Sequence, residues 1–298
     1  MNESSLLIVG SIGLDEIKTP FESKKNVIGG STTYSLIAAS NNISVSIVGI
    51  IGNDFPDYGH QIFQSKASNL DDLQVVEGKT FRWGGLYHEN WDDRETLYTE
   101  LGVFSDFQPI LTKSNKNSSH IFLANIHPDL QKSVIEQNEN NNAIIVVDTM
   151  NLWIDIAKDS LLDVLSKSNF LLLNESEAYM LTDCDILSDS ASIILDMGLD
   201  YVVIKKGSSG LELFSNKNHI KIEAYPVKEV VDPTGAGDTF GGGFISALAS
   251  GQSKTDSLIY GSSLASICVE GFGPEEILNA SEEDINHRIN YLKSKLNS

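Results

Sequence analysis

The chain has 298 residues, a length that fits one large α/β domain or two smaller ones. Hydrophobic residues make up 41% of it, which is enough to bury a sizeable core and excludes a disordered chain. The 41 acidic and 21 basic residues give a formal net charge of −20 at pH 7. Because such a surface repels phosphate backbones and anionic lipids, it argues against partners that are nucleic acids or membranes.

The cysteines and the apolar stretches bear on the cellular compartment. Cys184 and Cys268 lie far apart and form no CxxC pair, so neither a disulfide framework nor a zinc site is expected. The first residues carry no basic targeting region, and the purest apolar stretch, 143–147, is far shorter than the ~20 residues that span a bilayer. These features predict a globular protein of the cytoplasm.

Along the chain, short apolar runs alternate with helical patterns, as in a mostly parallel sheet with crossover helices. The apolar runs predict strands at 6–10, 44–50, 120–123, 143–147, 170–173 and 201–205. The helical patterns predict helices at 31–41, 54–68, 128–138, 174–181, 190–197, 236–250 and 282–296. We therefore expect a single α/β domain over residues 1–298.

Two segments interrupt this alternation. Residues 15–27 are polar and extended, and residues 79–103 interleave glycines and charges with aromatic residues, namely Phe81, Trp83, Tyr87, Trp91 and Tyr98. The second segment has no helical period and favours antiparallel strands. We predict a separate small sheet, built from about 14–28 and 79–103, that covers the edge of the main sheet as a lid. The alternative is an edge hairpin with ordinary packing aromatics.

The strongest chemical signal is the run DPTGAGDTFGGGF over residues 232–244. A glycine-rich turn opens a helix there, so unpaired backbone N–H groups point at one spot with the helix dipole behind them. That arrangement suits a phosphoryl group, although no Lys-Ser/Thr follows as in a Walker A loop. Asp238 in the first turn is suited to accept a proton from a substrate hydroxyl. In isolation, the same residues could form a tight turn with a helix-start carboxylate.

This run resembles the C-terminal signature of the ribokinase-like (phosphofructokinase-B-type) carbohydrate kinases. Further matches follow in the family's order at residues 9–15, 28–34, 46–54, 174–177 and 203–210, so the resemblance covers the chain from about residue 6 to 273. It implies a ribokinase-like three-layer α/β/α sandwich with a mostly parallel sheet and a small β-sheet lid. It also implies ATP-dependent phosphorylation of a primary alcohol of a sugar or related polyol. Asp238 would be the general base, and the anion hole would comprise Gly235, Ala236 and Gly237.

The resemblance also assigns the binding residues. Substrate binding is implied at Asp15, which can accept two sugar hydroxyls, and at Gly29 and Gly30, where backbone can approach a ligand closely. Nucleotide binding is implied at Asn174, Lys206, Gly207, Gly210 and Thr234. Mg²⁺ is implied at Asn174 and Glu177, acting through the waters it retains, although that pair alone would read as helix capping. A monovalent cation such as K⁺ near Asp232 and Thr234, and a homodimer formed through the lid, complete the expectations.

The sequence does not determine which substrate the protein binds. Thr33, Tyr34 and Ser35 occupy the stretch where many sugar kinases carry an Asn, and Tyr34 can either stack on a ring or pack into its helix. Residues 148–153 lack the Arg that would pair with an anionic sugar. Arg82 and Arg94 fall in the proposed lid, where they either reach a substrate or brace the strands. A nucleoside kinase of the same superfamily is the main alternative. Retention of Asp238 and the intact glycine turn argues against a non-catalytic sensor.

Overall fold

The computed structural model describes residues 5–88 and 94–296, with only the backbone described at residue 94. Within these residues the chain forms thirteen strands and eleven α-helices. The strands are β1 (Leu6–Val9), β2 (Gly13–Lys18), β3 (Ser23–Gly29), β4 (Val45–Gly52), β5 (Asn69–Val76), β6 (Phe81–Tyr87), β7 (Arg94–Glu100), β8 (His120–Leu123), β9 (Ile144–Asp148), β10 (Phe170–Asn174), β11 (Tyr201–Lys205), β12 (Leu211–Phe214) and β13 (His219–Ile222). The helices are α1 (Ser31–Ala39), α2 (Asp57–Lys66), α3 (Pro128–Gln137), α4 (Asn151–Ile156), α5 (Lys158–Leu165), α6 (Glu175–Thr182), α7 (Leu187–Leu195), α8 (Ala236–Ala249), α9 (Lys254–Cys268), α10 (Glu275–Asn279) and α11 (Glu282–Lys295).

Nine strands form one large sheet in the order β13-β12-β11-β10-β9-β8-β1-β4-β5. The strands from β5 to β11 in that order pair in parallel, and β12 and β13 extend one edge antiparallel. The six strands predicted from apolar runs all lie in the parallel part, which confirms the mostly parallel sheet. Both faces of these strands are covered, so their sequences are continuously apolar rather than alternating.

Two hydrophobic cores lie on opposite faces of the sheet. Successive side chains of a strand point to opposite faces. Accordingly, Leu6 and Ile8 of β1 pack into one core with Phe244 of α8. Leu7 and Val9 pack into the other core, to which α3, α5, α6 and α7 contribute Val134, Leu161, Ala178 and Ile194. The expected three-layer α/β/α sandwich is therefore present.

The helical layer beside α8 depends on close backbone contacts. Gly241 packs against the ring of Phe122, where an added Cβ would lie 2.3 Å from Cζ, and a Cβ on Gly242 would lie 2.3 Å from the carbonyl oxygen of Ser35. Helix α9, which packs on α8 and is buried over most of its length, was not predicted. A helix covered on several sides lacks the one-sided apolar pattern that reveals an amphipathic helix. None of the helices in the described parts of the chain is long and apolar enough to cross a membrane.

The edge strand β5 was also missed. The predicted helix 54–68 ends at Lys66, and the chain then forms β5, whose last residues Val75 and Val76 are exposed. This strand carries two adjacent aspartates and shows neither a continuous apolar run nor regular alternation, so its sequence gave little strand signal.

A separate four-stranded sheet has the order β3-β2-β6-β7 and is called the small sheet below. Strands β2 and β3 pair antiparallel, as do β6 and β7, in agreement with the prediction for the two segments. The pair β2–β6 is parallel, so the sheet is mixed rather than purely antiparallel. This follows from connectivity, because the chain returns to β6 only after passing through the large sheet. Trp91 and the Arg94 side chain lie outside the described residues.

Candidate active site

The candidate site lies at the edge of the large sheet where the parallel strands end, which is where ligand sites of open α/β sheets form. Asp148 ends β9, Asn174 ends β10 and Lys205 ends β11. The N-terminus of α8 reaches the same edge, because Lys205 Nζ lies 3.2 Å from the position that a Cβ on Gly237 would take. The sheet edge and the glycine-rich turn thus form one site.

The glycine-rich turn is held in a conformation that only glycine adopts readily. Gly235 has φ 76° and ψ 1°, and an added Cβ would lie 2.4 Å from ring atoms of Tyr34, which packs beneath it. The N–H groups of Gly235 and Gly237 have no acceptor within residues 5–88 and 94–296. The N–H of Ala236 donates to the carbonyl of Pro233 at 3.2 Å. Of the three predicted N–H donors, Ala236 therefore closes the turn, and the two glycines are available to an anion.

Asp238 lies in the first turn of α8. Its carbonyl oxygen accepts a hydrogen bond of 3.0 Å from the Ser35 hydroxyl of α1. Helix α1 begins immediately after Gly30, which is one of the predicted substrate residues. This bond therefore ties the helix carrying the proposed base to the helix that starts at the proposed acceptor site.

Asp232 and Thr234 precede the turn and form its base. The Asp232 side chain is fully buried, and its two oxygens accept N–H bonds from Thr234 at 2.9 Å and from Gly273 at 3.0 Å. Burial raises the pKa of Asp232, and these N–H donors offset part of that effect. The Thr234 hydroxyl donates to the Tyr87 hydroxyl of β6 at 3.0 Å, so the small sheet contacts the glycine-rich segment directly.

The structure brings together Asp15, Gly29 and Gly30, the residues to which the family resemblance assigns substrate binding. Asp15 on β2 is only 4% exposed. A Cβ added to Gly29 would lie 1.9 Å from Asp15 Oδ2, so the Asp15 carboxyl group fills the space that a larger residue at position 29 would need. Gly30 has φ 89°, and its missing Cβ would lie 2.5 Å from the Ser11 carbonyl oxygen. Both glycines are thus required by close approach, and the carboxyl group of Asp15 lies at the start of α1.

Asn174 and Glu177 form a capping box at the start of α6. Asn174 Oδ1 accepts from the Glu177 N–H at 2.8 Å, and Glu177 Oε2 accepts from the Asn174 N–H at 2.8 Å. The helix-capping role that the sequence left open is therefore present.

Lys205 is a site residue that the sequence analysis did not single out. Its Nζ lies 2.9 Å from Asp148 Oδ1. Burial lowers the pKa of Lys205, but the carboxylates of Asp148, Glu177 and Asp238 raise it by more, so the ammonium stays charged. A sequence feature that could have indicated its role is its position as the last residue of a buried parallel strand, because functional groups of α/β sheets collect at the ends of such strands.

Lys206, which was predicted to bind nucleotide, forms an ion pair with Glu212 on β12, 3.0 Å away. Glu212 also accepts from His219 at 2.6 Å and lies 3.3 Å from Lys221, so Lys206 belongs to a charged cluster on the antiparallel edge. The turn that follows has Gly207 at φ 53° and Gly210 at φ 85°. A Cβ on Gly210 would lie 2.0 Å from the Ile222 carbonyl, whereas the space beside Gly207 is open.

Arg82 braces the small sheet. Its guanidinium donates to Asn26 Oδ1 at 2.8 Å and to Asp54 Oδ2 at 3.1 Å. The Asp54 carboxylate in turn accepts from Thr80, and these contacts lower its pKa against the effect of burial. In this conformation Arg82 thus joins strands β3 and β6 to the turn after β4.

The Tyr34 side chain is buried in a core that includes residues of α8 and α9, and it is not exposed for stacking on a ligand. It is 1% exposed, and its hydroxyl has no hydrogen-bond partner within the described parts of the chain. Burial, together with the charges of Asp232 and Asp15, raises the pKa of Tyr34 well above its ordinary value, so the phenol stays protonated.

Comparison with known proteins agrees with this architecture. The pfkB family carbohydrate kinases match residues 11–280. The cytidine kinase of Thermococcus kodakarensis is 27% identical over 252 residues, which cover 83% of this chain and 89% of that protein. The nucleoside kinase of Methanocaldococcus jannaschii superposes with a TM-score of 0.80 at 20% identity, over 97% of this chain and 98% of that one. An E. coli protein of the ribokinase II type, solved with ATP and Mg²⁺, gives a TM-score of 0.83 at 21% identity, over 97% and 99% of the two chains. The chain therefore belongs to the pfkB family of carbohydrate kinases and is a kinase with the ribokinase-like fold.

Proposed function

We propose that this kinase transfers the γ-phosphoryl group of ATP to the primary hydroxyl of a nucleoside. The observation that carries the chemistry is the first turn of α8, where Asp238 stands beside the N–H groups of Gly235 and Gly237 that have no acceptor in the described chain. The similarity to a cytidine kinase over 83% of this chain supports the nucleoside class.

Asp238 and the glycine N–H groups have different roles in phosphoryl transfer. The substrate oxygen forms a bond to the γ-phosphorus while the bond from that phosphorus to the bridging oxygen of ADP breaks. The hydroxyl proton passes to the Asp238 carboxylate, and the N–H groups of Gly235 and Gly237 donate to the phosphoryl oxygens. Positioning and charge stabilisation supply most of the catalysis in phosphoryl transfer, and helix α8 provides both.

The part of the site that would bind the phosphoryl acceptor, the acceptor end, is formed by Asp15 with Gly29 and Gly30. A carboxylate that is 4% exposed can accept hydroxyl groups of a ribose, and the neighbouring glycines leave room for the sugar to approach backbone. The small sheet, which carries Asp15 on β2 and Tyr87 on β6, would act as a lid over this end. Excluding water matters because water is an alternative phosphoryl acceptor.

The residues around Lys205 suit a magnesium ion bound together with ATP. Glu177 and Asn174 present hard oxygen atoms at the end of β10, the donor type that Mg²⁺ prefers. Within residues 5–88 and 94–296, no group of three or more His, Cys, Asp or Glu side chains is arranged to hold a metal. Glu177 and Asn174 would therefore hold the ion through its waters. When bound, the ion neutralises phosphate charge.

The environment of Asp232 suits a monovalent cation such as K⁺. Its fully buried carboxylate receives N–H bonds from Thr234 and Gly273, but no ammonium or guanidinium group in the described chain lies within ion-pair distance of it. A bound cation would offset this charge at the base of the glycine-rich turn.

The exposed apolar residues of the small sheet support a homodimer formed through it. Phe21, between β2 and β3, is 74% exposed, and Leu97 on β7 is 38% exposed. Apolar side chains exposed on one sheet suit contact with a second copy. Sedimentation should give twice the chain mass of 32.6 kDa, and a monomer at micromolar concentration would contradict the dimer.

A sugar kinase is the second candidate, because the family and the ribokinase-type neighbour share the fold and because Asp15 would bind the sugar part of either substrate. A coupled ATP-consumption screen over nucleosides, pentoses and hexoses separates the two. We expect turnover with a nucleoside. Turnover confined to free sugars would replace the nucleoside proposal, and no turnover with any acceptor would contradict both.

A further inference from the structure

We infer that the Lys205 ammonium contacts the γ-phosphoryl group that is transferred, and that Asp148 positions it for this contact. This inference rests on the proposed kinase chemistry of Asp238. It adds a cationic side chain to a site whose other phosphate donors are backbone N–H groups.

Geometry places Lys205 beside those donors. Its Nζ is 2.9 Å from Asp148 Oδ1 and 3.2 Å from the position of a Cβ on Gly237, one of the two glycines with an available N–H. An anion seated on the Gly237 N–H would therefore approach the ammonium. Any side chain larger than hydrogen at residue 237 would crowd the ammonium.

The ammonium also keeps hydrogen-bonding capacity for a ligand. A lysine ammonium has three N–H donors, and Asp148 takes one of them. No second acceptor for Lys205 is found in the described parts of the chain. The Lys205 side chain is 20% exposed, so it remains accessible to a ligand while its partner Asp148 is nearly buried.

The contact between Lys205 and the γ-phosphoryl group matters because the carboxylates near the site would repel a phosphate. The carboxylates of Asp148, Glu177 and Asp238 all raise the pKa of Lys205, so three negative charges act near the proposed phosphate site. A positive side chain within this cluster lowers the repulsion that the γ-phosphoryl group would meet. Asp148 can fix the ammonium at the end of β11, because it is itself fixed at the end of β9.

Comparing ATP with ADP tests the inference without needing the acceptor, because only ATP carries the γ-phosphoryl group. Binding of each nucleotide with Mg²⁺ is measured by calorimetry for the wild type, for Lys205→Met and for Lys132→Met. Lys132 forms a surface ion pair with Asp163 on the α3–α5 layer and serves as the matched control. We expect Lys205→Met to weaken ATP by about tenfold or more and ADP by less than about threefold, with the control unchanged.

The variant Lys205→Met with Asp148→Asn separates a contact with phosphate from simple neutralisation of Asp148. If Lys205 only neutralises Asp148, the double variant regains wild-type ATP affinity, and that result overturns the inference. If Lys205 contacts the phosphoryl group, the double variant stays weak for ATP while regaining thermal stability. Equal weakening of ATP and ADP would also overturn the inference. A wild-type protein that binds neither nucleotide would instead contradict the proposed function.

Discussion

The Thr234 hydroxyl donates a hydrogen bond of 3.0 Å to the Tyr87 hydroxyl. Thr234 lies in the glycine-rich segment before α8, whereas Tyr87 ends strand β6 of the small sheet. Tyr87 also packs with Ile17 of β2 and Phe272 in a small apolar cluster. These contacts connect the proposed lid to the proposed phosphate site.

If the small sheet is a lid, acceptor binding should slow hydrogen exchange in residues 14–28 and 79–103 together. Nucleotide alone should protect mainly Gly207 and the turn at 235–238. In Tyr87→Phe the hydrogen bond to Thr234 is lost, so we expect the acceptor-induced protection to shrink while the protection by nucleotide persists. Unchanged exchange in both segments with a substrate that is turning over would contradict the lid and leave the chemistry of Asp238 intact.

Glu177→Gln separates metal binding from helix capping. Glutamine can take the place of Glu177 in a capping box, so the variant should keep its thermal stability while requiring more Mg²⁺ for half-maximal rate. The matched variant Asn174→Ala removes the N-cap and should cost about 1 kcal/mol of stability. An unaltered Mg²⁺ dependence in Glu177→Gln would show that the residue only caps α6.

Asp232 should make stability depend on pH and on K⁺. Its pKa is raised in the folded protein, so its contribution to stability is present below the ordinary aspartate pKa and is lost as pH rises through the folded value. In K⁺-free buffer we expect the melting temperature to fall over this range, less steeply in Asp232→Asn. Added K⁺ should restore the wild type and have little effect on the variant. Identical pH profiles for the two proteins, or a K⁺ effect of equal size on both, would contradict the cation site.

Tyr34→Phe tests the buried hydroxyl of Tyr34, the residue whose ring packs beneath Gly235. Because the Tyr34 hydroxyl is buried without a partner in the described chain, its removal should leave stability unchanged or raise it by up to about 1 kcal/mol. Thermal melting without ligands is the measurement. A clear drop in melting temperature would mean that the hydroxyl has a bonding partner in solution.

The sequence predicts six strands of the large sheet because they are buried on both faces, as the fully apolar pattern of Leu6–Val9 shows. The resemblance to the family assigned Asp15, Gly29 and Gly30 to one substrate site, and the structure places Asp15 beside Gly29. The sequence misses α9, which is buried on several sides, and it does not single out Lys205, whose partner Asp148 lies 57 residues away. The Asp148–Lys205 contact depends on β9 and β11 ending at the same edge, which becomes evident only when the sheet order is known.

The most direct test of the proposed function is the turnover of Asp238→Asn at saturating ATP and acceptor. This substitution keeps the size of the side chain but removes the proton acceptor, so we expect kcat to fall by about 10² or more while ATP binding persists. Asp256→Asn is the matched control, since Asp256 occupies the same third helical position in α9. Turnover close to wild type in Asp238→Asn would contradict the assignment of Asp238 as the general base.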